Sequence, residues 1–124
     1  MRLGSARGRF LLDTDVLINI LRHIPGYSSL PYQQSFIFYY ASISKKELYS
    51  KRGLKKSEAQ AIAKLLTRMR QVNLDDRILE CYDILLSKYR PRGLFKADAL
   101  TAATAWAKDL RLVTSNISDF AFIE

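Results

Sequence analysis

Cysteine, histidine and acid are all scarce in this chain. One cysteine, Cys81, among 124 residues cannot form an internal disulfide, so a reducing, cytoplasmic setting is expected rather than secretion. The single histidine, His23, falls in a loop with no partner cysteine or nearby carboxylate. A His/Cys metal centre is therefore excluded, and no serine has the histidine that a hydrolase triad needs. No glycine-rich phosphate loop appears. Long apolar runs are missing too. Asp13 and Asp15 interrupt the best candidate for the roughly 18 apolar residues of a membrane span. Residues Met1 to Gly8 carry Arg2 and Arg7 but no apolar segment behind them, so they read as a basic arm rather than a signal peptide. Asp and Glu total 12 against 20 Lys and Arg, a net charge of +8, which favours polyanionic partners.

What is present is a hydrophobic content of 48% in a length that suits one domain, burying roughly two-thirds of its unfolded surface. The run Arg9-Phe10-Leu11-Leu12 meets Asp13-Thr14-Asp15 and continues as Val16-Leu17-Ile18-Asn19-Ile20-Leu21, a buried strand turning into a helix. Phe36 to Ile43 is nearly continuous apolar and aromatic residues, the pattern of a parallel strand covered on both faces. After it, Ser44 and Glu47 stand at the spacing of a capping box that opens a second helix. Ser57 is the expected cap of a helix carrying Ile62, Leu65, Leu66 and Met69. Gln71 to Leu74 alternates like a short strand, and Asp75 caps a helix with a stripe of Ile78, Tyr82, Leu85 and Tyr89, ended by Pro91 and Gly93. Ala97 to Leu110 is expected to be helical on a stripe of Ala99, Ala102, Ala103, Trp106 and Leu110, with Trp106 in the core, followed by a strand from Arg111 to Thr114. The tail from Asp119 to Ile123 could add an edge strand. Strands alternating with helices, without repeats, predict one α/β domain over 9–124 with a mainly parallel sheet.

That architecture makes four distant acids interesting. Asp13 ends the first strand, Glu47 is expected in the first turn of the second helix, and Asp98 in the first turn of the last helix. Helices that connect parallel strands run antiparallel to them, so these positions share the carboxyl edge of the sheet, where α/β folds bind ligands. Asn116 and Asp119 follow the last strand to the same edge. Two carboxylates about 4 Å apart repel by roughly 4 kcal/mol at an effective dielectric of about 20, so such a cluster requires protons or a cation. Oxygen ligands alone favour Mg²⁺ or Mn²⁺ over Zn²⁺.

Each acid also has a plain structural reading. Asp13 or Asp15 can cap the first helix, leaving one acid spare; Asp15 suits the cap or a supporting place, and Asp13 the metal. Glu47 taken alone suits the capping box, and Asp98 suits a helix dipole by roughly 0.3–1 kcal/mol. Their agreement on one edge argues for a site. Lys45, Lys46, Lys51, Arg52, Lys55 and Lys56 crowd one region, and Lys88, Arg90, Arg92 and Lys96 another. Such residues ordinarily solvate helix faces, but a basic rim round a carboxylate pocket is also what a metal-dependent nuclease needs to hold phosphates.

Four stretches carry a resemblance: Phe10-Leu-Leu-Asp-Thr-Asp-Val-Leu-Ile18, Ala41-Ser-Ile-Ser-Lys-Lys-Glu-Leu-Tyr49, Ala97-Asp-Ala-Leu-Thr-Ala-Ala-Thr-Ala105 and Leu112-Val-Thr-Ser-Asn-Ile-Ser-Asp-Phe120. In order and spacing the chain resembles the PIN-domain ribonucleases, and within them the VapC toxins of prokaryotic toxin–antitoxin pairs. The resemblance implies a three-layer α/β/α sandwich and Mg²⁺- or Mn²⁺-dependent endonucleolytic cleavage of RNA. It implies an acidic quartet at Asp13, Glu47, Asp98 and either Asn116 or Asp119, with Asp119 preferred because Asn116 stands where many relatives carry the acid. It further implies Thr114 as a supporting hydroxyl, a homodimer, and a VapB-like antitoxin covering the pocket; the two basic groups, by their charge, supply Lys45, Lys46, Arg52, Arg92 and Lys96 as the expected RNA contacts. Asp15 stands where Asn or Ser is common. Two rivals are a basic RNA-binding module without catalysis and a haloacid-dehalogenase-like phosphatase built on Asp13-Thr14-Asp15 and Thr114-Ser115-Asn116. The phosphatase also needs a Lys and a further acidic pair downstream of Thr114, and the ten residues after it hold neither a Lys nor two adjacent acids.

Overall fold

The computed structural model describes residues 8–89 and 96–115. The basic arm up to residue 7, the helix stop at Pro91 and Gly93, and the tail from Asn116 onward, with its expected edge strand, lie outside the described residues. Strand β1 (Arg9–Leu12) leads into α1 (Thr14–Leu21), and a short 3-10 turn (Leu30–Tyr32) precedes β2 (Ile37–Ala41). Then come α2 (Ser42–Tyr49), α3 (Lys56–Leu66), β3 (Arg70–Val72), α4 (Asp76–Tyr89), α5 (Lys96–Ala107) and β4 (Arg111–Val113). The four strands form one sheet in the order β3-β2-β1-β4, and every neighbouring pair is parallel.

Alternation along the strands creates the layers. Leu12, Phe38 and Tyr40 join the cluster of Val16, Leu17, Ile20, Leu48, Ile62, Leu65 and Leu66, contributed by α1, α2 and α3. Their neighbours Leu11 and Tyr39 point the opposite way, to Ala105, Leu110, Leu112 and Val72. Val72 and Leu112 also pack on the α4–α5 cluster of Ile78, Cys81, Leu85, Tyr89, Ala99, Ala102 and Ala103. Helices on both faces of an all-parallel sheet make the expected three-layer α/β/α sandwich. Among the described residues no helix is long and apolar enough to cross a membrane.

Several local expectations require correction. Helix α2 begins at Ser42, directly after β2, with Ala41 at its cap. Ser44 is therefore inside the helix and Glu47 in its second turn, so the capping box between them does not form. At α3 the cap position is Lys55 rather than Ser57; Glu58 reaches back to accept the Lys55 N–H at 3.2 Å, and Ser57 is already helical. Phe36 and Ile37 are 42% and 40% exposed, because β2 starts beyond the helical layers that cover its later residues. Trp106 is 38% exposed, with the Arg77 guanidinium 5.9 Å from its ring centre. It lies one residue before α5 ends at Ala107, past the Ala99–Ala105 stretch held between α4 and the sheet. Within that stretch Thr101 and Thr104 are buried, their hydroxyls satisfied by the carbonyls of Ala97 and Leu100.

Asp75 caps α4 as expected, its Oδ1 accepting the Ile78 N–H at 2.9 Å, while its other oxygen pairs with Lys108 beyond α5. The Lys108 hydrogen bond, followed by that from Ile78, holds the Asp75 carboxyl below its ordinary range. A depressed carboxylate contributes stability above its unfolded pKa and loses it as pH falls through the folded value. Asp75→Ala should therefore lower Tm at pH 7, with the difference from the parent protein narrowing in thermal melts as pH falls from the unfolded value, about 3.9, through the lower folded one. A gap that persists unchanged in acid would show that the charge is not its source.

Candidate functional site

Asp13 sits where β1 hands over to α1. Its backbone N–H donates to Val113 O at 3.0 Å, which continues the β1–β4 ladder one residue further and sets Asp13 beside Thr114. The side chain caps α1: Oδ1 accepts the Thr14 N–H at 2.8 Å, and Oδ2 accepts the Thr114 hydroxyl at 3.0 Å. Asp13, not Asp15, is thus the cap; Asp15 lies half-buried in the first helical turn. Capping does not exhaust Asp13, since a carboxylate offers about four acceptor positions.

The electrostatics of Asp13 are unfavourable. It is 6% exposed, and burial pushes its carboxyl above the ordinary carboxylate range despite the lowering effect of the Thr114 and Thr14 hydrogen bonds. The negative charges of Asp15 and Glu47 push the same way. Among the described residues no Lys, Arg or His forms an ion pair with Asp13.

Glu47 reaches this site through hydroxyls. Thr14 Oγ1 donates to Glu47 Oε1 at 3.0 Å and lies 2.8 Å from Ser44 Oγ. Thr14 has a single hydroxyl proton, so donation to Glu47 makes it the acceptor from Ser44. A directed relay Ser44→Thr14→Glu47 results, with Ser44 fully buried and Glu47 exposed. Residues 14 and 44 stand in separate helices, and no local spacing signals their pairing; the only cue was a hydroxyl immediately after the strand-end acid. Glu47 also edges a cavity of about 330 Å³ between α1, α2 and α3, walled by Ile18, Leu21, Leu48 and Ile62, with Arg22 and Lys51 beside it.

Asp98 is half-buried in the first turn of α5. Because α5 precedes β4, this turn lies toward the carboxyl edge that also holds Asp13. Asn116 and Asp119 lie outside the described residues, so the choice between them as the fourth member stays where the sequence left it. Among the described residues no three acid, His or Cys side chains converge to hold a metal ion. The chemistry of those present nonetheless suits a hard cation: a buried carboxylate with free acceptor capacity, two negative neighbours, and hydroxyl oxygens in place of imidazole or thiolate. Lys45, Lys46 and Arg52 are exposed on α2 and the loop after it. Arg92 lies outside the described residues, and Lys96 opens α5.

No protein-family model matches the chain, and no curated protein matches it. Solved structures do. The chain matches one in the VapBC complex of Salmonella typhimurium bound to DNA with a TM-score of 0.81 at 20% identity, covering 93% of this chain and 92% of that one. For VapBC2 of Rickettsia felis bound to a promoter DNA fragment the TM-score is 0.78 at 24% identity, with 90% of each chain covered. For a toxin–antitoxin complex of Klebsiella pneumoniae it is 0.73 at 26% identity, with 92% of each covered. The sheet order, the layers and these likenesses agree: the chain has a PIN-like α/β fold, shared with chains found in solved toxin–antitoxin complexes, VapBC among them.

Proposed function

We propose that this chain is a metal-dependent endoribonuclease, the toxin of a VapBC-type toxin–antitoxin pair. The observation that carries the reading is Asp13: a buried carboxylate at the carboxyl edge of a parallel sheet, crowded by negative charge and without a described cation to offset it. A group so placed is costly in an apoprotein, and a divalent cation relieves the cost. Asp13 and Asp98, with Asp119 or Asn116, would hold Mg²⁺ or Mn²⁺. When bound, such an ion activates water as a nucleophile and neutralises charge on a scissile phosphate. Thr114 and the Thr14 N–H hold the Asp13 carboxylate in one orientation. Glu47, fixed by the hydroxyl relay, orients or deprotonates the attacking water. Lys45, Lys46 and Arg52 hold flanking phosphates that the acidic site itself would repel.

The fold likeness is to chains solved within toxin–antitoxin complexes, and this supports a VapB-like antitoxin as partner. The apolar cavity beside Glu47 suits a partner segment that packs there and covers the site. A homodimer is part of the same reading.

The direct test incubates purified protein with single-stranded and structured RNA in Mn²⁺, Mg²⁺ or EDTA, beside Asp98→Asn. Cleavage that needs the metal and vanishes in the variant is expected; equal cleavage in EDTA would sink the metal-dependent reading. Thr14→Val addresses the relay. It removes one hydroxyl at nearly constant volume, leaving Ser44 and Glu47 without that partner. A stability loss of about 1 kcal/mol and a fall in kcat of about tenfold are expected from melts and single-turnover cleavage. An unchanged kcat would free Glu47 from any dependence on Thr14.

A second reading, an RNA-binding module with weak or no catalysis, has one observation in its favour: the described acids do not by themselves form a three-ligand group. Calorimetric titration with Mn²⁺ separates the two, since saturable binding supports the enzyme and its absence the binding module.

A further inference from the structure

A second cavity, of about 340 Å³, lies past the last residues of α1, beside the cavity at Glu47, with which it shares Leu21 and Ala61. Asp13 and Glu47 stand near the start of that helix, whereas this cavity is reached past its last residues, Ile20 and Leu21, where α3 and the 3-10 turn meet it. The eight residues of α1 set its far end about 12 Å from the Asp13 cap, and neither Asp13 nor Glu47 lines the second cavity.

Its lining is chemically one-sided. Leu65, Pro31 and the end of α1 form an apolar floor, and the polar groups are Lys64, Arg68, His23, Ser28 and Tyr32, without a single carboxylate. All three ion pairs among the described residues involve other cations, so no described carboxylate neutralises Lys64 or Arg68. The Arg68 guanidinium lies 4.3 Å from the centre of the Tyr32 ring, and that ring is 56% exposed. An exposed tyrosine beside a guanidinium offers a flat surface for a planar base. Lysine, the guanidinium edge, the imidazole N–H and a serine hydroxyl supply donors for a phosphate. The volume falls in the range of small-ligand sites.

We infer that the cavity formed by the end of α1, the 3-10 turn and α3 binds a nucleoside monophosphate group, its base on Tyr32–Arg68 and its phosphate toward Lys64 and His23. The same group can come from a free nucleotide or from one unit of a single-stranded RNA. This inference stands on the lining of the cavity and needs neither metal nor cleavage at Asp13.

The test is calorimetry and amide chemical-shift titration of the full chain in EDTA, so that strand cleavage plays no part. The probes are AMP, adenosine, inorganic phosphate and the tetranucleotide ApApApA. AMP or the tetranucleotide should saturate a site whose shifts map to residues 20–32 and 61–68, with adenosine and phosphate each bound about tenfold more weakly. Tyr32→Ala and Arg68→Ala should each weaken binding about tenfold, and Tyr32→Phe should preserve it. Both side chains are exposed, and circular dichroism checks that the variants fold. Binding of AMP alone identifies a free nucleotide as the ligand; binding of the tetranucleotide at least as tightly identifies an RNA strand; either supports the site. Failure of both probes to saturate, or binding that ignores both alanine substitutions, overturns it.

Discussion

Asp13→Asn is expected to abolish RNA cleavage while leaving the protein at least as stable as the parent at pH 7. Asparagine keeps an oxygen for the Thr14 N–H, and its amide can meet the Thr114 hydroxyl, which can turn to accept. The fold therefore survives. What disappears is the negative charge that a divalent cation requires, and loss of several kcal/mol of metal-assisted stabilisation slows the reaction by about a hundredfold or more. The stability half of the expectation follows from the raised carboxyl pKa of Asp13. A group whose folded pKa lies above its unfolded value binds its proton more tightly in the native state, so stability falls as pH rises from the unfolded value, near 3.9, through the folded one. Ionised Asp13 is a burden at neutral pH, and its neutral isostere is not. Thermal melts should show any advantage of the variant at pH 7 shrinking as pH falls through the folded value and gone by about pH 4. Adding Mn²⁺ at about a hundred times its Kd should raise the parent's stability by about 2.7 kcal/mol and leave the variant unmoved. A variant that cleaves at the parental rate, or gains as much from Mn²⁺, would remove Asp13 from the site.

Leu17→Ala should have the largest effect on stability. Leu17 is fully buried in the middle of α1, within the cluster that joins α1, α2 and α3 to the sheet. Truncation leaves a cavity that close packing cannot refill, costing about 3 kcal/mol and lowering Tm by about 10 °C in a chain of this size. Ile18→Ala, at a half-buried position on the same helix, is the control and should cost less. Equal melts for Leu17→Ala and the parent would contradict the packing of α1 on the sheet. Because α1 also carries the Asp13 cap and Thr14, chemical denaturation followed together with activity should show both lost in one transition.

Much of this arrangement was legible in local pattern. The apolar run ending at Asp13, the alanine stripe of α5 and the cap at Asp75 each obey short-range rules, and each stands where those rules put it. Ser44 and Trp106 were misread for one reason. A spacing compatible with a capping box, and a residue in line with a buried stripe, describe what a segment permits. Where α2 begins, and where α5 emerges from between α4 and the sheet, depends on the neighbours. The contact of Thr14 with Ser44 and Glu47 had no local trace, since it joins two helices across 30 and 33 positions of chain.

By itself, the order of residues determined the alternation of strands and helices, the parallel sheet that such alternation requires, and the edge to which Asp13 and Asp98 belong, because periodicity and chain direction act over a few residues at a time. Only the packed structure decided that Asp13 rather than Asp15 caps α1, that burial and two negative neighbours raise its carboxyl pKa, and that Glu47 is held through Thr14. Desolvation, Coulomb repulsion and hydrogen bonds between distant segments depend on distances that exist only once the layers have closed on the sheet.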